Sequence, residues 1–362
     1  MDIRTATEAY EAWLAQHTTL VADDLAIKHQ HMAEDPFLFL RATFYRWAQL
    51  WPELCPELAA APAVLAVGDL HIENFGTWRD IEGRLVWGIN DFDEVYPMPY
   101  TIDLVRLGTS TALAIDAGHL GVGLKDACKA ILAGFADGLE AGGRPLLLEE
   151  ANEGLRAMAL GELRAPKRFW KKAGQLPLAQ DNVPAEAKSG MEALFPAPGL
   201  AYRIHTRVAG NGSLGHPRFV GLSAWHAAQV AREAKALVPS AYAWAQDGAG
   251  KAELHYQQIL DRAVRCPDPF VRTHGAWIVR RLSPDCSRIE LSLWPKKRDE
   301  KRLLYAMGWE TANVQLGTPE ATTAVQEDLA GRPKGWLRKA IKRMAKATRR
   351  DWKDWKRAAK AA

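Results

Sequence analysis

The chain has 362 residues and a net charge of +4, with 48% of its residues hydrophobic and 25% charged. This balance is typical of a soluble globular protein with one large or two ordinary domains. Four cysteines without a CxxC pair exclude a disulfide scaffold and indicate buried thiols in a reducing compartment. The first residues lack the apolar core of a signal peptide and no stretch is long enough to span a membrane, so we expect a cytoplasmic protein.

Residues 1–50 are predicted to be helical. Thr5 followed by Glu8 is a capping-box signature, and Pro36 stands near the start of a second apolar pattern with helical spacing. Arg41 interrupts the apolar face of that second helix. It is either one partner of a buried ion pair or a side chain that extends to solvent.

Two short apolar runs follow, and each leads to acidic residues. Residues 63–67 have strand length and lead to Asp69 at the start of a turn, with Asn74 five positions later. A second run, residues 85–89, ends in the same way at the sequence NDFDE. We expect the two runs to form a hairpin around a glycine-containing turn, with their loops converging on one strongly anionic point.

The acidic cluster predicts a site for a hard cation. It combines carboxylates and one amide with a single nitrogen ligand, His71, and this set suits Mg²⁺ better than zinc. We assign Asn74 and Asp91 to the metal, with Asp93 as an additional ligand.

The spacing also matches the layout of protein kinases. There an Asp accepts the substrate hydroxyl proton, an Asn five residues later holds metal, and a later Asp holds the metal that bridges the phosphates. Asp69, Asn74 and Asp91 occupy those three places. Ordinary turn chemistry explains one Asp and Asn pair but not three matched positions at strand ends. A binuclear metallophosphoesterase would need further His and Asp ligands, which the sequence lacks.

The sequences of these turns, GDLHIEN and INDFDE, resemble signatures of aminoglycoside phosphotransferases and choline kinases. In those families an Asp in a downstream segment that ends in DL braces the catalytic loop, and Asp103 in TIDL holds that place. The resemblance implies a catalytic group of Asp69, His71 and Asp103. Asp69 is the base or the residue that orients the acceptor hydroxyl.

Residues 104–142 are predicted to form two apolar-faced helices that end at glycines. Residues 143–200 are rich in proline and poor in periodicity. Their basic and aromatic cluster, residues 164–172, is either a solvated charged face or a lid that meets an anionic ligand.

Residues 210–215 spell GxGxxG after a strand-like pattern. A dinucleotide fold needs a helix directly after the glycines, but here His216, Pro217 and a second strand-like run follow. Strand, glycine turn and strand form the kinase arrangement, in which backbone amides cover the phosphates, whereas a plain hairpin would explain fewer glycines. The predicted nucleotide contacts in this loop are Gly210, Gly212, Ser213 and Gly215.

The motif order is reversed relative to a kinase, in which the glycine loop comes first, and a circular permutation reconciles the two. The order PFxFxR, GDxHxxNFG, NDFDE, DLxRL and a late glycine loop resembles that of the bacterial family catalogued as domain of unknown function 2252. This resemblance spans about residues 28 to 320 and supplies no reaction.

A kinase lysine should follow the glycine loop. We prefer Lys235, which matches the lysine of the family pattern VKEARPS in its distance from a Pro-Ser pair, and Arg232 is the competitor. Their segment is rich in alanine, so a helix is the alternative to a strand. Glu253 is suggested as the partner of the lysine, and Arg280 and Arg281 are either phosphate contacts or edge-strand charges.

The end of the chain differs in charge from the rest. After a predicted strand at residues 288–294 and an amphipathic helix that ends at Gly317, residues 331–362 carry thirteen Lys and Arg against two Asp. Their charge of +11 leaves −7 for the preceding residues of a chain whose total is +4. A stripe at helical spacing consists of Leu337, Ile341, Met344, Thr348, Trp352 and Trp355. We expect this helix to dock on the acidic body, with an anionic membrane or nucleic acid as the alternative partner.

The sequence thus predicts an α+β, protein kinase-like two-lobe fold in circularly permuted order. Residues 1–200 form a helical catalytic half, residues 201–330 a sheet-containing half with the glycine loop, and residues 331–362 a basic helix. The expected function is ATP- and Mg²⁺-dependent transfer of phosphate to a hydroxyl of a small-molecule acceptor. The alternative is a non-catalytic nucleotide-binding regulatory protein.

Overall fold

A computed structural model of the chain describes residues 1–148, 152–160, 166–180, 182–246, 252–286 and 299–361. Helices and three small sheets make up this part of the chain, which confirms the mixed α+β class. Among these residues no helix is both long enough and apolar enough to cross a membrane.

The first half of the chain is mainly helical and the second half contains the larger sheet. The helices in the described ranges are α1 (Ile3–Leu14), α2 (Ala22–Glu34), α3 (Pro36–Ala42), α4 (Phe44–Leu54), α5 (Pro56–Ala59), α6 (Thr101–Asp116), α7 (Leu124–Glu140), α8 (Glu153–Leu160), α9 (Pro166–Ala173), α10 (Ala185–Glu192), α11 (Ala241–Ala245), α12 (Tyr256–Arg262), α13 (Glu300–Gln315), α14 (Thr322–Gly331) and α15 (Trp336–Ala361). The strands are β1 (Ala63–Ala66), β2 (Phe75–Arg79), β3 (Leu85–Ile89), β4 (Tyr96–Pro99), β5 (Leu146–Leu147), β6 (Arg203–Thr206), β7 (Arg218–Trp225), β8 (Ala228–Ala236), β9 (Val271–His274) and β10 (Trp277–Leu282).

The hairpin around Gly83 joins β2 to β3, so the predicted pairing of residues 63–67 with β3 is wrong. In the turn, the Asp80 side chain accepts a hydrogen bond from the backbone N–H of Arg84 at 2.9 Å, and Gly83 has φ of 75°. A tight turn pairs the strands that flank it directly, and β2 rather than β1 stands next to this one. β1 pairs instead with β4. The acidic turns after β1 and β3 still lie side by side, because Asn74 at the entry to β2 bonds to both.

The helix starts follow from their capping residues. Asp2, not Thr5, caps α1: its side chain accepts from the backbone N–H of Thr5 at 3.0 Å, so the capping box predicted at Thr5 and Glu8 is wrong. Asp2 is as good a cap as threonine and stands one turn earlier. Asp35 caps α3 through two backbone N–H groups, and Pro36 is the first residue of that helix. This confirms the start predicted from Pro36.

β6 to β10 form an antiparallel sheet in the order β6-β7-β8-β10-β9. Residues 228–236 form strand β8 and not the alternative helix, because β7 and β10 pair with them on both sides. α10 covers one face of this sheet through Met191, which packs with Ala234 and Val279. The opposite face turns toward the acidic turns. The strand predicted at residues 288–294 lies outside the described residues.

The helical body is built around α6, α7 and α13. α6 and α7 confirm the two helices predicted for residues 104–142, and α13 confirms the helix predicted to end near Gly317. α7 and α13 pack so closely that a Cβ at Gly134 would stand 1.9 Å from the carbonyl oxygen of Tyr305. The close packing fixes α13 behind β3, where one of its side chains reaches the site.

The C-terminal helix α15 packs on this body along its apolar stripe. Leu337, Ile341 and Met344 are buried in the main core, and the Trp355 indole donates to a backbone carbonyl of α2. Asp351 is also buried and accepts from Arg46 Nε at 2.8 Å. The lysines and arginines of the opposite side of α15 face outward. The apolar stripe thus lies against the chain's own body.

Asp351→Asn removes the charge that balances the buried guanidinium of Arg46. We expect the free energy of unfolding to fall by about 3 kcal/mol, because one partner of a buried pair is left unpaired. Urea denaturation measures the change. Asp354→Asn is the matched control on the same helix, since its partner Arg357 is exposed, and its effect should stay below about 0.5 kcal/mol. Equal effects of the two substitutions would contradict docking through the Arg46 ion pair.

Candidate functional site

A cavity of about 610 Å³ lies between the five-stranded sheet and the turns that follow β1 and β3. Several predicted motifs contribute to its wall. The predicted site residues in the wall are Asp69, His71, Asn74, Asp91, Asp93, Gly210, Gly212 and Ser213. Asp103 and Lys235 lie behind the wall and form hydrogen bonds with residues that line it: Asp103 with Val67, and Lys235 with Asp93. Gly215 packs against α2 instead. The structure therefore gathers most of the predicted site in one place.

Asp69 is anchored by a buried arginine. Arg106 on α6 donates to Asp69 Oδ1 from Nε at 3.1 Å and from Nη2 at 2.5 Å, and its guanidinium lies 4.8 Å from the centre of the Trp47 ring. Burial raises the pKa of the Asp69 carboxyl, and Arg106 opposes the rise. In the sequence, Arg106 stands out only as part of the DLxRL pattern, which does not reveal this role. The available signal was a charged residue three positions after Asp103, in a stretch of α6, residues 104–115, that carries no other charge.

Asp103 holds the backbone that presents Asp69. Its carboxylate accepts from the N–H of Val67 at 3.0 Å and of Gly68 at 2.9 Å, and from Gln315 Nε2 at 2.9 Å. The side chain is fully buried, and burial raises the pKa of the carboxyl to about 6. These contacts are the brace that the sequence predicted for Asp103.

Asn74 ties the two acidic turns together. Its Nδ2 donates to the carbonyl oxygen of Asp69 at 3.2 Å and to that of Asp91 at 3.1 Å. These two bonds fix the orientation of the amide. Its Oδ1 is buried, and no hydrogen-bond partner for it occurs among the residues that the structure describes. An amide oxygen in this state is suited to coordinate a cation.

Lys235 reaches from the sheet to the second acidic turn. Its Nζ lies 3.3 Å from Asp91 Oδ1 and 2.5 Å from each carboxylate oxygen of Asp93, and the residue is 1% exposed. Burial would raise the pKa of the Asp91 carboxyl, but Lys235 and Arg280 together lower it. Burial and the neighbouring Asp91 raise the pKa of Asp93 to about 6. The contact joins the two halves of the chain at the cavity.

Two alternatives to these assignments are wrong. Arg232 lies three residues before Lys235, so it points to the opposite face of β8. There it donates to a backbone carbonyl and lies 4.7 Å from the centre of the Phe270 ring, away from the cavity. Glu253, the suggested partner of the lysine, has a side chain that is 56% exposed and lies 3.9 Å from His255. Asp91 and Asp93 take that place.

The glycine loop joins β6 to β7, which confirms the predicted order of strand, glycine turn and strand. Asn211 anchors it by donating to the carbonyl oxygen of Leu38 at 2.7 Å. A Cβ at Gly212 would stand 3.0 Å from the carbonyl oxygen of Arg41 and 3.4 Å from Asp69 Oδ2. The loop therefore lies close to the Asp69 turn.

Three arginines meet at one glutamate on the sheet face of the cavity. Glu233 accepts from Arg207 Nη1 at 2.5 Å, from Arg218 Nη1 at 3.3 Å and from Arg280 Nε at 2.7 Å. All three arginines line the cavity. The sequence suggested a phosphate-contacting role for Arg280 but none for Arg207, Arg218 or Glu233, because strand pairing alone brings these distant positions together. Arg281, the next residue of β10, also lines the cavity and lies 3.6 Å from Asp268.

Arg41 forms a buried ion pair and does not extend to solvent. Its Nη1 lies 2.5 Å from Glu73 Oε2, and both side chains are buried at the cavity wall. His71 accepts from the backbone N–H of Glu73 through Nδ1 at 3.2 Å. The ion pair thus neutralises one of the carboxylates that lie close to Asp69.

Two further elements border the cavity. Arg168, Phe169 and Lys172 of α9 line it, and the Lys and Arg side chains of α9 are also exposed to solvent, so the basic cluster both borders the cavity and faces water. The first residue of that cluster, Arg164, lies outside the described residues. Glu94 was missed by sequence analysis although it ends the NDFDE motif. It accepts from Ser240 Oγ at 3.0 Å, and burial raises its pKa to about 8.

The oxygen atoms of Asn74 and Asp91 suit a hard cation that completes its coordination shell with oxygens from other molecules. Asn74 Oδ1 is buried and unpartnered, and the Asp91 side chain is 43% exposed in the cavity. Mg²⁺ keeps waters and takes phosphate oxygens beside one or two carboxylates. Within the described ranges, no group of three or more His, Cys, Asp or Glu side chains is arranged as a metal site on its own.

Comparison with known proteins identifies a relationship for part of the chain. Residues 20–168 match the model of a family described as an uncharacterized protein conserved in bacteria (DUF2252). The matched region contains Asp69, Asn74, Asp91 and Asp103 and ends before the glycine loop. No curated protein and no solved structure is significantly similar to the chain.

Asp103→Asn places an amide N–H₂ against backbone N–H donors. We expect the free energy of unfolding to fall by about 2 kcal/mol and the amides of Val67 and Gly68 to exchange faster, because only one acceptor oxygen remains for these two N–H groups and for Gln315. Denaturation and site-resolved hydrogen exchange measure the two effects. Asp116→Asn, at the exposed end of the same helix where Asp116 pairs with Arg349, is the control and should change neither. Unaltered exchange at both amides would refute the bracing role.

Glu310 of α13 supports the strand that leads to Asp91. It accepts from the backbone N–H of Ile89 at 3.1 Å and from Asn313 at 2.8 Å, and burial raises its pKa from 4.5 to about 7 while Arg265 opposes the rise. The folded state therefore holds the proton more tightly than the unfolded state. This contribution to stability is complete below pH 4.5 and is lost as the pH rises through about 7.

Glu310→Gln should remove that pH dependence. Between these limits we expect the unfolding free energy of the parent to fall, relative to the variant, by on the order of 2 kcal/mol. Urea denaturation across the interval measures it. Glu320→Gln, at an exposed position, should run parallel to the parent. The prediction fails if the Glu310→Gln profile is also parallel.

Proposed function

We propose that the protein is an ATP- and Mg²⁺-dependent phosphotransferase that transfers phosphate to the hydroxyl of a small-molecule acceptor. The observation that carries this proposal is the contact of Lys235, on the third strand of the larger sheet, with Asp91 and Asp93 beside a cavity that the glycine loop lines. In kinases a glycine loop, a lysine on the third strand and a metal-binding Asp meet around the nucleotide phosphates.

The kinase-like fold in permuted order belongs to the same proposal. Its support is that the glycine loop joins the first two strands of the larger sheet and that the third strand carries Lys235. The Asp69 and Asp91 turns precede that sheet in the chain. On this proposal residues 1–200 supply the catalytic half and residues 201–330 the nucleotide-covering half.

Asp69 is the group that accepts or orients the acceptor proton. Arg106 bonds to Oδ1, so Oδ2 remains for the hydroxyl, and the pKa of the carboxyl is raised above its usual value, which strengthens it as a base. Asp103 keeps the turn in place through the backbone of Val67 and Gly68. His71 orders the same turn through its bond with the Glu73 backbone.

Asn74 and Asp91 are the residues that would hold Mg²⁺, with Asp93 beside them. A magnesium ion supplies neutralisation of the charge on the terminal phosphates. Lys235 keeps Asp91 ionised by lowering its pKa, and the deprotonated carboxylate is the form that binds a cation.

One observation favours the second candidate, a non-catalytic nucleotide-binding protein. The ammonium of Lys235 is bound by Asp91 and Asp93, whereas in active kinases the lysine pairs with a helix glutamate. On this second proposal the protein binds nucleotide, but Lys235 does not contact the phosphates and no phosphate is transferred.

Nucleotide binding is tested by calorimetry with MgATP and with a non-hydrolysable Mg²⁺ analogue. We expect Asp69→Asn to bind MgATP as the parent does but to lower turnover by about 100-fold or more, because a positioned base contributes that much. Asp91→Asn should abolish the Mg²⁺ dependence of binding. Turnover is followed as intrinsic ATP hydrolysis and as phosphate transfer into a metabolite extract.

Asp126→Asn, at an exposed site on α7, is the control for both measurements. Absence of any nucleotide binding at millimolar concentration would overturn both candidates. Binding without hydrolysis or transfer by the parent would select the regulatory protein over the phosphotransferase. Equal behaviour of Asp69→Asn, Asp91→Asn and the parent would overturn the site assignment.

A further inference from the structure

The three arginines around Glu233 are fixed in the sheet by strand register. Arg280 stands opposite Glu233, and Arg218 stands opposite Lys235 on the neighbouring strand. Residues directly opposite each other in an antiparallel pair share one face. Arg218, Glu233 and Arg280 therefore all face the cavity, and Arg207 joins them from the end of β6. The cluster is part of the sheet and does not depend on flexible surface side chains.

The cluster carries more positive charge than its own carboxylate balances. Glu233 is fully buried, and among the described residues it is the single carboxylate that forms ion pairs with all three guanidinium groups. The Arg218 side chain is only 4% exposed. Burial lowers the pKa of Arg207, Glu233 opposes this, and Arg218 and Arg280 lower it further. Excess charge in the interior is costly unless an opposite charge completes the group. The charge balance thus favours an anion on the cavity side, which all three arginines line.

The glycine loop passes against this cluster. Arg218 Nη2 donates to Ser213 Oγ at 2.9 Å and lies 3.2 Å from the place of a Cβ on Gly210. Arg218 also stands opposite Lys235, whose Nζ lies 3.3 Å from Asp91 Oδ1. The cluster therefore lies beside both the loop and the lysine that contacts the proposed metal ligand.

We propose that Arg207, Arg218 and Arg280 form a subsite for a phosphate chain, and that Glu233 is the positioning residue that orients their guanidinium groups. The ligand class is a diphosphate or triphosphate, whose oxygens accept the paired N–H groups that arginine presents. The proposal deepens the proposed function and rests on it for the nucleotide. The subsite itself requires only a phosphate chain.

A purely structural cluster would have a different consequence. If the arginines only held β6, β7, β8 and β10 together, their loss would lower stability, and every variant that folds would bind phosphate chains like the parent. Affinity measured on folded protein therefore separates a binding role from a structural role.

The test is calorimetry of the full-length protein with inorganic triphosphate and, separately, with MgATP. We expect Arg280→Gln and Arg207→Gln to weaken triphosphate binding by about tenfold or more, since each removes charge-assisted hydrogen bonds. Arg207 has the most exposed side chain of the three, at 30%, so its variant is the one that folds if Arg280→Gln does not. Arg203→Gln, on the exposed edge of the same sheet, makes the same charge change and should bind as the parent.

Glu233→Gln supplies a second, independent readout. It leaves the three guanidinium groups without the carboxylate that orients them, so its thermal midpoint should fall. Triphosphate should raise that midpoint by less than it raises that of the parent, because the variant binds triphosphate more weakly. Parental triphosphate affinity in folded Arg207→Gln and Arg280→Gln would overturn the subsite. Failure of the proposed function is distinct: the parent would then bind triphosphate but neither hydrolyse nor transfer from MgATP.

Discussion

The contact of Lys235 with Asp91 and Asp93 is the interaction on which the cavity depends. It joins β8 to the turn after β3, and the ammonium is almost fully buried. A buried ammonium without a partner is costly, so the sheet and the acidic turn are stable only when they meet. Their meeting defines the cavity and brings the glycine loop to Asp69. Without this ion pair the ammonium of Lys235 would be buried without a partner.

The same principle explains why the cavity is not simply anionic. The sequence predicts a strongly negative point, but almost every carboxylate there has a partner from another element. Arg106 forms an ion pair with Asp69, Arg41 forms one with Glu73, and backbone N–H groups donate hydrogen bonds to Asp103. The acidic turns are thus balanced locally, whereas the sheet face around Glu233 keeps surplus positive charge. The cavity thus runs from locally balanced acidic turns to a cationic sheet face, and the proposal of a metal and phosphate ligand rests on this arrangement.

Short-range features could be predicted and long-range pairing could not. Asp69, Asn74 and Asp91 follow strand-like runs, so local pattern was enough to find them, and the apolar stripe of α15 was enough to predict its docking. The pairing of β1 with β4 and the strand state of residues 228–236 depend on contacts with distant segments. Alanine favours a helix, but pairing on both sides outweighs that preference. Arg207, Arg218 and Glu233 are grouped only by that pairing.

The position of the first helices follows from the same long-range contacts. α2 and α3 precede the acidic turns in the chain, yet they hold the glycine loop that comes much later. Asn211 bonds to Leu38, and the backbone N–H of Val21 donates to the carbonyl oxygen of Gly215 at 2.9 Å. Contacts of this kind do not depend on the order of segments along the chain. The N-terminal helices therefore act as the anchor of the loop, and the proposed permuted order would remove no such contact from the cavity.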